Sequence, residues 1–380
     1  MIFILLSALY FLNVLSRMLF PMLALKFAKI YHLSPSMSGS IYLLLALGFG
    51  LSLFFSQFLS AKIGNQRTIC FSAISSGLLL SLFPLIESWG IFSFFLFALG
   101  ALCGLFLPSA IAYLNAIFPK ETLGRSIGFF SSFQTIAMIA APLVGGWIEI
   151  SSKELFLFLG IALTAFGAVF MIFAKSSLEK NHPLTLAYFK EVFFSKTNRI
   201  LFVFHALAVG FNVGIYKIAP SYFLKSQAVS ETYFFSLMSL SRILGIFASI
   251  LCGFLIDFLG IRFSLITGLL LTGSCTLFLG VFDSKGALFM FCLQGPCAIA
   301  LTTMVYIAIS KISAPERKAS LISLFASSSF LIGAGIIPQI MGILGDWNLC
   351  SFGWIAFGTI GIFMGLLLYR KSVVFQEIGG

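Results

Sequence analysis

The sequence predicts an all-α membrane protein of twelve transmembrane helices in two pseudo-symmetric six-helix bundles. Three observations carry this. The 380 residues are 60% hydrophobic and only 9% charged, with a mean hydropathy of +1.09. A soluble domain carries about 25% charged residues, so this chain has too little charge for a water-facing surface. Clusters of charge, Pro and Gly break the chain into apolar runs of about the 20 residues a helix needs to cross hydrocarbon. Finally, Gly64 and Gly260, Pro119 and Pro315, and Pro142 and Pro338 form pairs each 196 residues apart. Three landmarks in one order and one register mark a duplicated half.

The first run, 2–25, is apolar from its start, without a basic leader or a small-residue cleavage site, and is expected to be a span rather than a signal peptide. The second, 38–60, opens after Ser34 and Pro35, which have the chemistry of a helix start, and stops at Lys62 and Gly64. The third, 68–86, runs from Arg67 to Glu87, and the fourth, 91–117, ends before Pro119 and Lys120. The fifth, 126–148, follows Arg125, and the sixth, 155–174, stops at Lys175. In the second half, 199–223 begins at Arg199, and 231–256 follows Ser230, which is 196 residues after Ser34. The runs 262–282, 286–309, 319–343 and 350–369 are bounded by Arg262, Asp283, Lys285, Lys311, Lys318, Asp346 and Arg370. The longest polar break is 175–198. It divides the chain into a first bundle, 1–174, a linker with an expected amphipathic surface helix, and a second bundle, 199–380. His182, beside Pro183 in the linker, is expected to be solvated.

Orientation follows from Lys and Arg in the short loops. Of 23 such residues, Arg17 and Arg242 fall inside spans, and Lys26, Lys29, Lys153, Lys217, Lys225 and Lys285 fall on one side, leaving fifteen on the other. The fifteen mark the cytoplasmic face, so both termini are expected there, in a plasma or bacterial inner membrane. The net charge of +11 reflects this bias and contact with anionic lipid, and does not imply nucleic acid. Seven cysteines, mostly in apolar runs, show no metal or disulfide spacing and are expected to be inert. No nucleotide-binding loop, metal cluster or nucleophile–base set is visible, so neither an enzyme nor a cofactor is expected.

Between spans eight and nine stands "GFLIDFLGIR", 253–262; its first-half counterpart is the faded "QFLSAKIGNQR", 57–67. Gly253, Leu255, Asp257, Gly260 and Arg262 fill every fixed place of a signature that resembles that of the major facilitator superfamily, as do the two six-span halves and the central basic loop. The first-half copy keeps Leu59 and Gly64 but has Gln57 and Ala61 in place of the Gly and Asp. The resemblance covers nearly the whole chain. It implies two six-helix bundles and a cytoplasmic latch in which Asp257 meets the start of span five, near Arg125 and Ser126. An Asp there would cap a helix N-terminus, where unpaired N–H groups and the dipole favour an anion, while the glycines permit a tight turn. The alternative is a routine loop charge. "AAPLVGG", 141–146 apart from its first Ala, resembles the fifth-helix motif of drug–proton antiporters. Ala141 stands where a Gly normally precedes Pro142, and the antiporters' fourth-helix Arg is matched by Gly100. Pro142, Gly145 and Gly146 are therefore read as a bend with close packing, and Gly100 and Gly104 as a small-residue packing face.

All twelve acidic residues fall in loops, tails or the last turn of a span. The ionisable groups within spans are Arg17, Arg242, His205 and Lys217. A charge at a helix centre costs about 2.5–3.5 kcal/mol on insertion scales, so each Arg is expected to face a cavity or a partner. Tyr10, Asn13 and Arg17 share one helix face; so do His205, Asn212 and Tyr216, and Ser239 lies three before Arg242. In the family the first, fourth, seventh and tenth helices line the central cavity. A pocket with two guanidinium groups and no carboxylate suits an anion held by forked donors. Against this, either Arg can instead bond carbonyls of a broken helix, and His205 reads more simply as a packed neutral ring than as a proton relay. Lys217 is expected to snorkel outward. Gln134, Gln294 and Tyr306 are further hydrogen-bonders. The reading is a monomeric alternating-access transporter of a small organic or phosphorylated anion. Its partners are that solute and the bilayer. The alternatives are an exporter of neutral solutes or drugs, or a transport-inactive membrane receptor.

Overall fold

The computed structural model describes residues 1–147, 151–174, 196–226, 229–312 and 318–370, and all the regular structure there is helical. The chain folds as two compact units: Met1–His32 with Ile41–Leu184, and Leu33–Ser40 with Thr185–Gly380. Most of the expected linker and its amphipathic helix lies outside the described residues, as does Pro315.

The first unit contains α1 (Ile2–Met22), α2 (Ala24–Ile30), α3 (Pro35–Ile63, whose first turns group with the second unit), α4 (Asn65–Ser81), α5 (Trp89–Gly104), α6 (Phe106–Ile117), α7 (Lys120–Trp147) and α8 (Ser152–Phe173). The second contains α9 (Lys196–Val209), α10 (Ile215–Ser226), α11 (Glu231–Val281), α12 (Ser284–Ile312), α13 (Lys318–Leu331), α14 (Ile337–Asp346) and α15 (Cys350–Arg370). Among the described residues, eleven segments are long and apolar enough to cross a membrane. One of them, α11, has 51 residues, or roughly 75 Å at 1.5 Å per residue. That is more than twice a hydrocarbon core of about 30 Å. It is two helices joined at Gly260, and counting them separately gives twelve crossings.

The expected smooth spans are interrupted in several places. Span one breaks at Leu23, just past Pro21; a proline in a helix removes an N–H and crowds the preceding turn. Span four breaks at Leu105 between α5 and α6. Spans seven and eleven each widen into a π-turn, at Gly210–Gly214 between α9 and α10 and at Ile332–Ile336 between α13 and α14. The two π-turns pack together where a side chain on Gly333 would meet the backbone of Gly210 and Val209.

The duplication is visible as repeated chemistry. Gly64 (φ 90, ψ 155) and Gly260 (φ 77, ψ 157) adopt the same conformation, one that is essentially confined to glycine. Two residues after each, a side chain caps the last helix of its own unit. Gln66 Nε2 donates to the Met171 and Ala174 carbonyls at 3.3 and 2.6 Å, at the end of α8. Arg262 Nη2 donates to the Leu368 and Tyr369 carbonyls at 3.2 and 3.0 Å, at the end of α15. Both satisfy carbonyls that a helix terminus leaves unpaired. Gly77 and Gly273 repeat a close crossing: a Cβ on either would lie 2.7 or 2.8 Å from a carbonyl of the sixth helix of its unit, Gly160 or Gly358.

Other expectations resolve individually. Ser34 is a true cap, its hydroxyl accepting from the Met37 N–H at 3.2 Å, whereas Ser230 makes no side-chain cap bond. Gly100 and Gly104 do pack α5 onto α3, against the Leu45 and Phe49 carbonyls, and Gly145 meets Met22. Gly253 makes no turn. It lies inside α11, where a Cβ would have nothing within 4 Å, so Gly260 alone turns the chain. One end of the first unit is filled by aromatic rings: Phe20 stacks on Phe156 at 4.4 Å, and Phe83, Phe92 and Phe95 close around them. Beside them the Tyr31 phenol donates to the Ile86 carbonyl at 3.1 Å, and burial raises its pKa.

Two outcomes are expected from this repeated geometry. Ala at Gly260 should lower stability by about 1–3 kcal/mol, the cost of holding a Cβ residue in that region. Arg262→Gln, which copies the first unit, should melt near wild type, whereas Arg262→Ala should melt lower. Thermal unfolding in detergent reads all three; equal melting of Arg262→Gln and Arg262→Ala would show that the cap contributes nothing.

Candidate functional site

In a bilayer no water pairs with backbone carbonyls, so an interrupted span must find partners for them within the protein. That need explains much of the polar chemistry in both units. In the first, Asn13 on α1 donates through Nδ2 to the Cys103 carbonyl at 3.3 Å, and the Ser72 hydroxyl donates to the Leu102 carbonyl at 2.6 Å. Both carbonyls lie just before the break at Leu105, and the Cys103 carbonyl also accepts a backbone N–H there. In the second, Gln294 Nε2 donates to the Phe211 carbonyl at 2.9 Å, inside the first π-turn. Arg242 Nη2 donates to the Asn212 carbonyl at 2.6 Å, and its Nη1 donates to Asn212 Oδ1.

The structure therefore separates the candidate residues into two clusters. Around α1, Arg17 is 7% exposed and its guanidinium lies 4.0 Å from the centre of the Phe49 ring. It folds back toward Asn13, with Nε 3.4 Å from the carbonyl and Nη2 3.5 Å from Oδ1. Both bonds are long, and its other N–H groups make no hydrogen bond among the described residues. Tyr10 is clamped between parallel rings, Phe130 at 4.5 Å and Phe106 at 6.0 Å, and its hydroxyl donates to Gln134 Oε1 at 2.7 Å.

Around the first π-turn, Arg242 is 4% exposed, with its guanidinium 4.2 Å from the Tyr216 ring centre. Asn212 passes the contact on, donating to Thr302 Oγ1 at 3.2 Å. Arg242 thus has more of its donors spent on the fold than Arg17 has. The two units repeat one device with the roles exchanged. An Arg stacks on a ring and bonds an Asn, but the Arg is on the first helix of the first unit and on the second helix of the second. Among the described residues no carboxylate touches either guanidinium.

His205 stands apart from Arg242. It is fully buried, its ring meets Tyr306 edge-on at 4.9 Å, and neither nitrogen has a hydrogen-bond partner among the described residues. Lys217 overturns its expectation. It does not snorkel: it is 2% exposed, and its ammonium donates to the Ala334 carbonyl at 3.0 Å and lies 5.3 Å from the Phe330 ring centre. The cause is the second π-turn, which presents that carbonyl to α10 and which a smooth helix would not have done. Phe49, Cys103 and Thr302 were not singled out in the sequence, since an apolar ring, a thiol and a hydroxyl on a greasy helix carry no periodic signal. Asp257 is exposed three residues before Gly260, and within its own unit it has no partner among the described residues. The described residues hold no group of His, Cys, Asp and Glu able to bind a metal.

The burial of Lys217 can be read directly. Under an amine-reactive reagent in detergent, exposed Lys225 and Lys285 should be modified within minutes on the scale of free lysines, while Lys217 should stay unmodified until unfolding. Mass spectrometry of the peptides decides; equal modification of all three would restore the snorkelling position.

The Major Facilitator Superfamily description matches residues 6–289. No curated protein was found to match the chain in sequence. Among solved structures, a bacterial homolog of the human lysosomal transporter Spinster, inward-facing and occupied, superposes with a TM-score of 0.80 at 16% identity, covering 100% of this chain and 98% of that one. A D-xylose–proton symporter gives 0.79 at 13% identity, covering 99% and 98%. The nucleoside transporter NupG gives 0.78 at 15% identity, covering 98% and 100%. At these identities the likeness concerns the fold, and the solutes named are those of the other proteins. With a family match over most of its length and a fold shared end to end with transporters, the chain belongs to the Major Facilitator Superfamily.

Proposed function

We propose that the chain is an alternating-access carrier of a small organic or phosphorylated anion, working by exchange, uniport or symport. The observation that supports this most is Arg17. It is a buried guanidinium whose only hydrogen bonds among the described residues are two long ones to Asn13 of its own helix. A forked, permanently charged donor left so little engaged suits a carboxylate or phosphate. Tyr10 and Asn13 flank it. Arg242, Asn212 and Tyr216 add a second positive cluster, in which part of the guanidinium is committed to the π-turn, and His205 completes the proposed set. Gly253, Asp257, Gly260 and Arg262 are the proposed latch. The domain reading is 1–174, 175–198 and 199–380. The distribution of Lys and Arg supports both termini on the cytoplasmic side; the rest of the reading is a monomer in a bacterial inner membrane. A carrier binds and releases its solute unchanged, and the protein is proposed as a carrier and not an enzyme.

Arg17 gives the direct test. A hydrogen bond to a charged group contributes about 1.5–3 kcal/mol, so Arg17→Ala should weaken anion binding roughly ten- to a hundredfold, with Arg17→Lys between. Affinity for a panel of organic and phosphorylated anions, measured beside the melting temperature, decides. Full affinity in Arg17→Ala defeats the anion reading, and a variant that cannot be purified folded makes Arg17 structural. For the latch, Asp257→Asn should change the accessibility of cysteines labelled from each side of the membrane. Unchanged labelling on both sides would leave the motif as a turn and a cap.

A further inference from the structure

The fifth span carries a polar surface that the anion reading does not use. On α7, Phe129, Ile136 and Leu143 recur every seven residues and are exposed, which is an apolar face suited to lipid. Phe130, Ala137 and Ala141 form a second, fully buried face. Ser131, Ser132 and Gln134 are also exposed, although they lie within the span Arg125–Gly146; Ser132 falls on the apolar face, but its hydroxyl is spent within the helix, donating to the Phe129 carbonyl at 2.6 Å. At about 100° per residue, Gln134 sits roughly opposite the apolar exposed face. An exposed carboxamide at that depth is costly against lipid and belongs on a water-filled path.

Gln134 is also oriented. The buried Tyr10 phenol, held between Phe130 and Phe106, donates to its Oε1 at 2.7 Å. With the oxygen engaged, the amide nitrogen makes no hydrogen bond among the described residues and is left as a donor. Arg17 lies two turns along α1 from Tyr10 and folds back toward Asn13, which sets its guanidinium roughly 5–10 Å from Tyr10 along the axis. The first unit therefore presents a charged donor fork and, a short way off, a neutral donor pair, and among the described residues no carboxylate bonds to either.

We propose that Gln134, positioned by Tyr10, is a second substrate-contacting residue, and that the solute is an extended anion. Its charged head takes Arg17, and a neutral hydroxyl or carbonyl acceptor at its other end takes the Gln134 amide. This rests on the anion reading above and narrows it: a head group alone reaches one subsite only.

Two measurements test it. In membranes carrying a cysteine-free variant, Gln134→Cys should react with a water-soluble maleimide, while Ile136→Cys on the apolar face should not. If the cysteine-free protein does not fold, the same labelling is read by mass spectrometry in the native-cysteine background. No reaction at Gln134→Cys, or equal reaction at both positions, overturns the proposal without touching Arg17. The second measurement compares head-only probes, inorganic phosphate and acetate, with extended ones, hexose 6-phosphate and gluconate. Gln134→Leu should weaken the extended probe that binds by roughly three- to tenfold, the range of one neutral hydrogen bond, and leave its head-only counterpart unchanged. Tyr10→Phe should also weaken the extended probe, by less than Gln134→Leu does, because it frees the amide to turn. Equal loss for both probes, or loss for neither, overturns the two-point site. Arg17→Ala unchanged for every probe, or no probe bound by the wild type, instead defeats the anion reading and this proposal with it.

Discussion

The constraint on which this structure depends is the pairing of backbone carbonyls away from water. Spans four, seven and eleven are each interrupted, at Leu105, Gly210–Gly214 and Ile332–Ile336. At each one a polar side chain from another helix takes a carbonyl: Asn13 at Cys103, Arg242 at Asn212, Lys217 at Ala334. A side-chain bond between membrane helices contributes modestly, about 0.6 kcal/mol on average. An unpaired carbonyl in hydrocarbon costs several times that. The interruptions and the buried polar residues therefore go together: each break is met by a polar side chain that the surrounding helices bury.

This is why Arg17 and Arg242 have different prospects although both are buried, stacked on a ring and bonded to an Asn. Arg242 reaches across to another helix and holds a π-turn with a 2.6 Å bond. Arg17 bonds only within its own helix, and at distances where a hydrogen bond is weak. The duplicated loop follows the same rule. Arg262 and Gln66 both close the last helix of their unit, so that place in the motif needs a donor more than a charge: the first half has the cap without the charge.

Much of this was legible in the sequence. Composition and run length determine a membrane-spanning helical chain, because few charges and twenty-residue apolar runs leave no other solvent for its surface. The 196-residue offset determines the duplicated halves, since it is a property of order alone; Gly64 and Gly260 sharing one conformation is its physical counterpart. Arg17 was singled out because a charge within an apolar run is conspicuous wherever it folds.

What only tertiary structure decided is where carbonyls are left open and what reaches them. A π-turn adds one residue to a turn without altering composition, so Lys217 looked like a side chain bound for the interface and is instead held by Ala334. Asn13 and Arg17 share a helix face in any straight helix, but Phe49 and Cys103 come from other spans, and no periodicity within α1 names them. Tyr10 fixes Gln134 across 124 residues of chain. The sequence alone determined which groups were costly to bury. Only the fold decided which of them the backbone consumes and which stay available, because that depends on distances between helices.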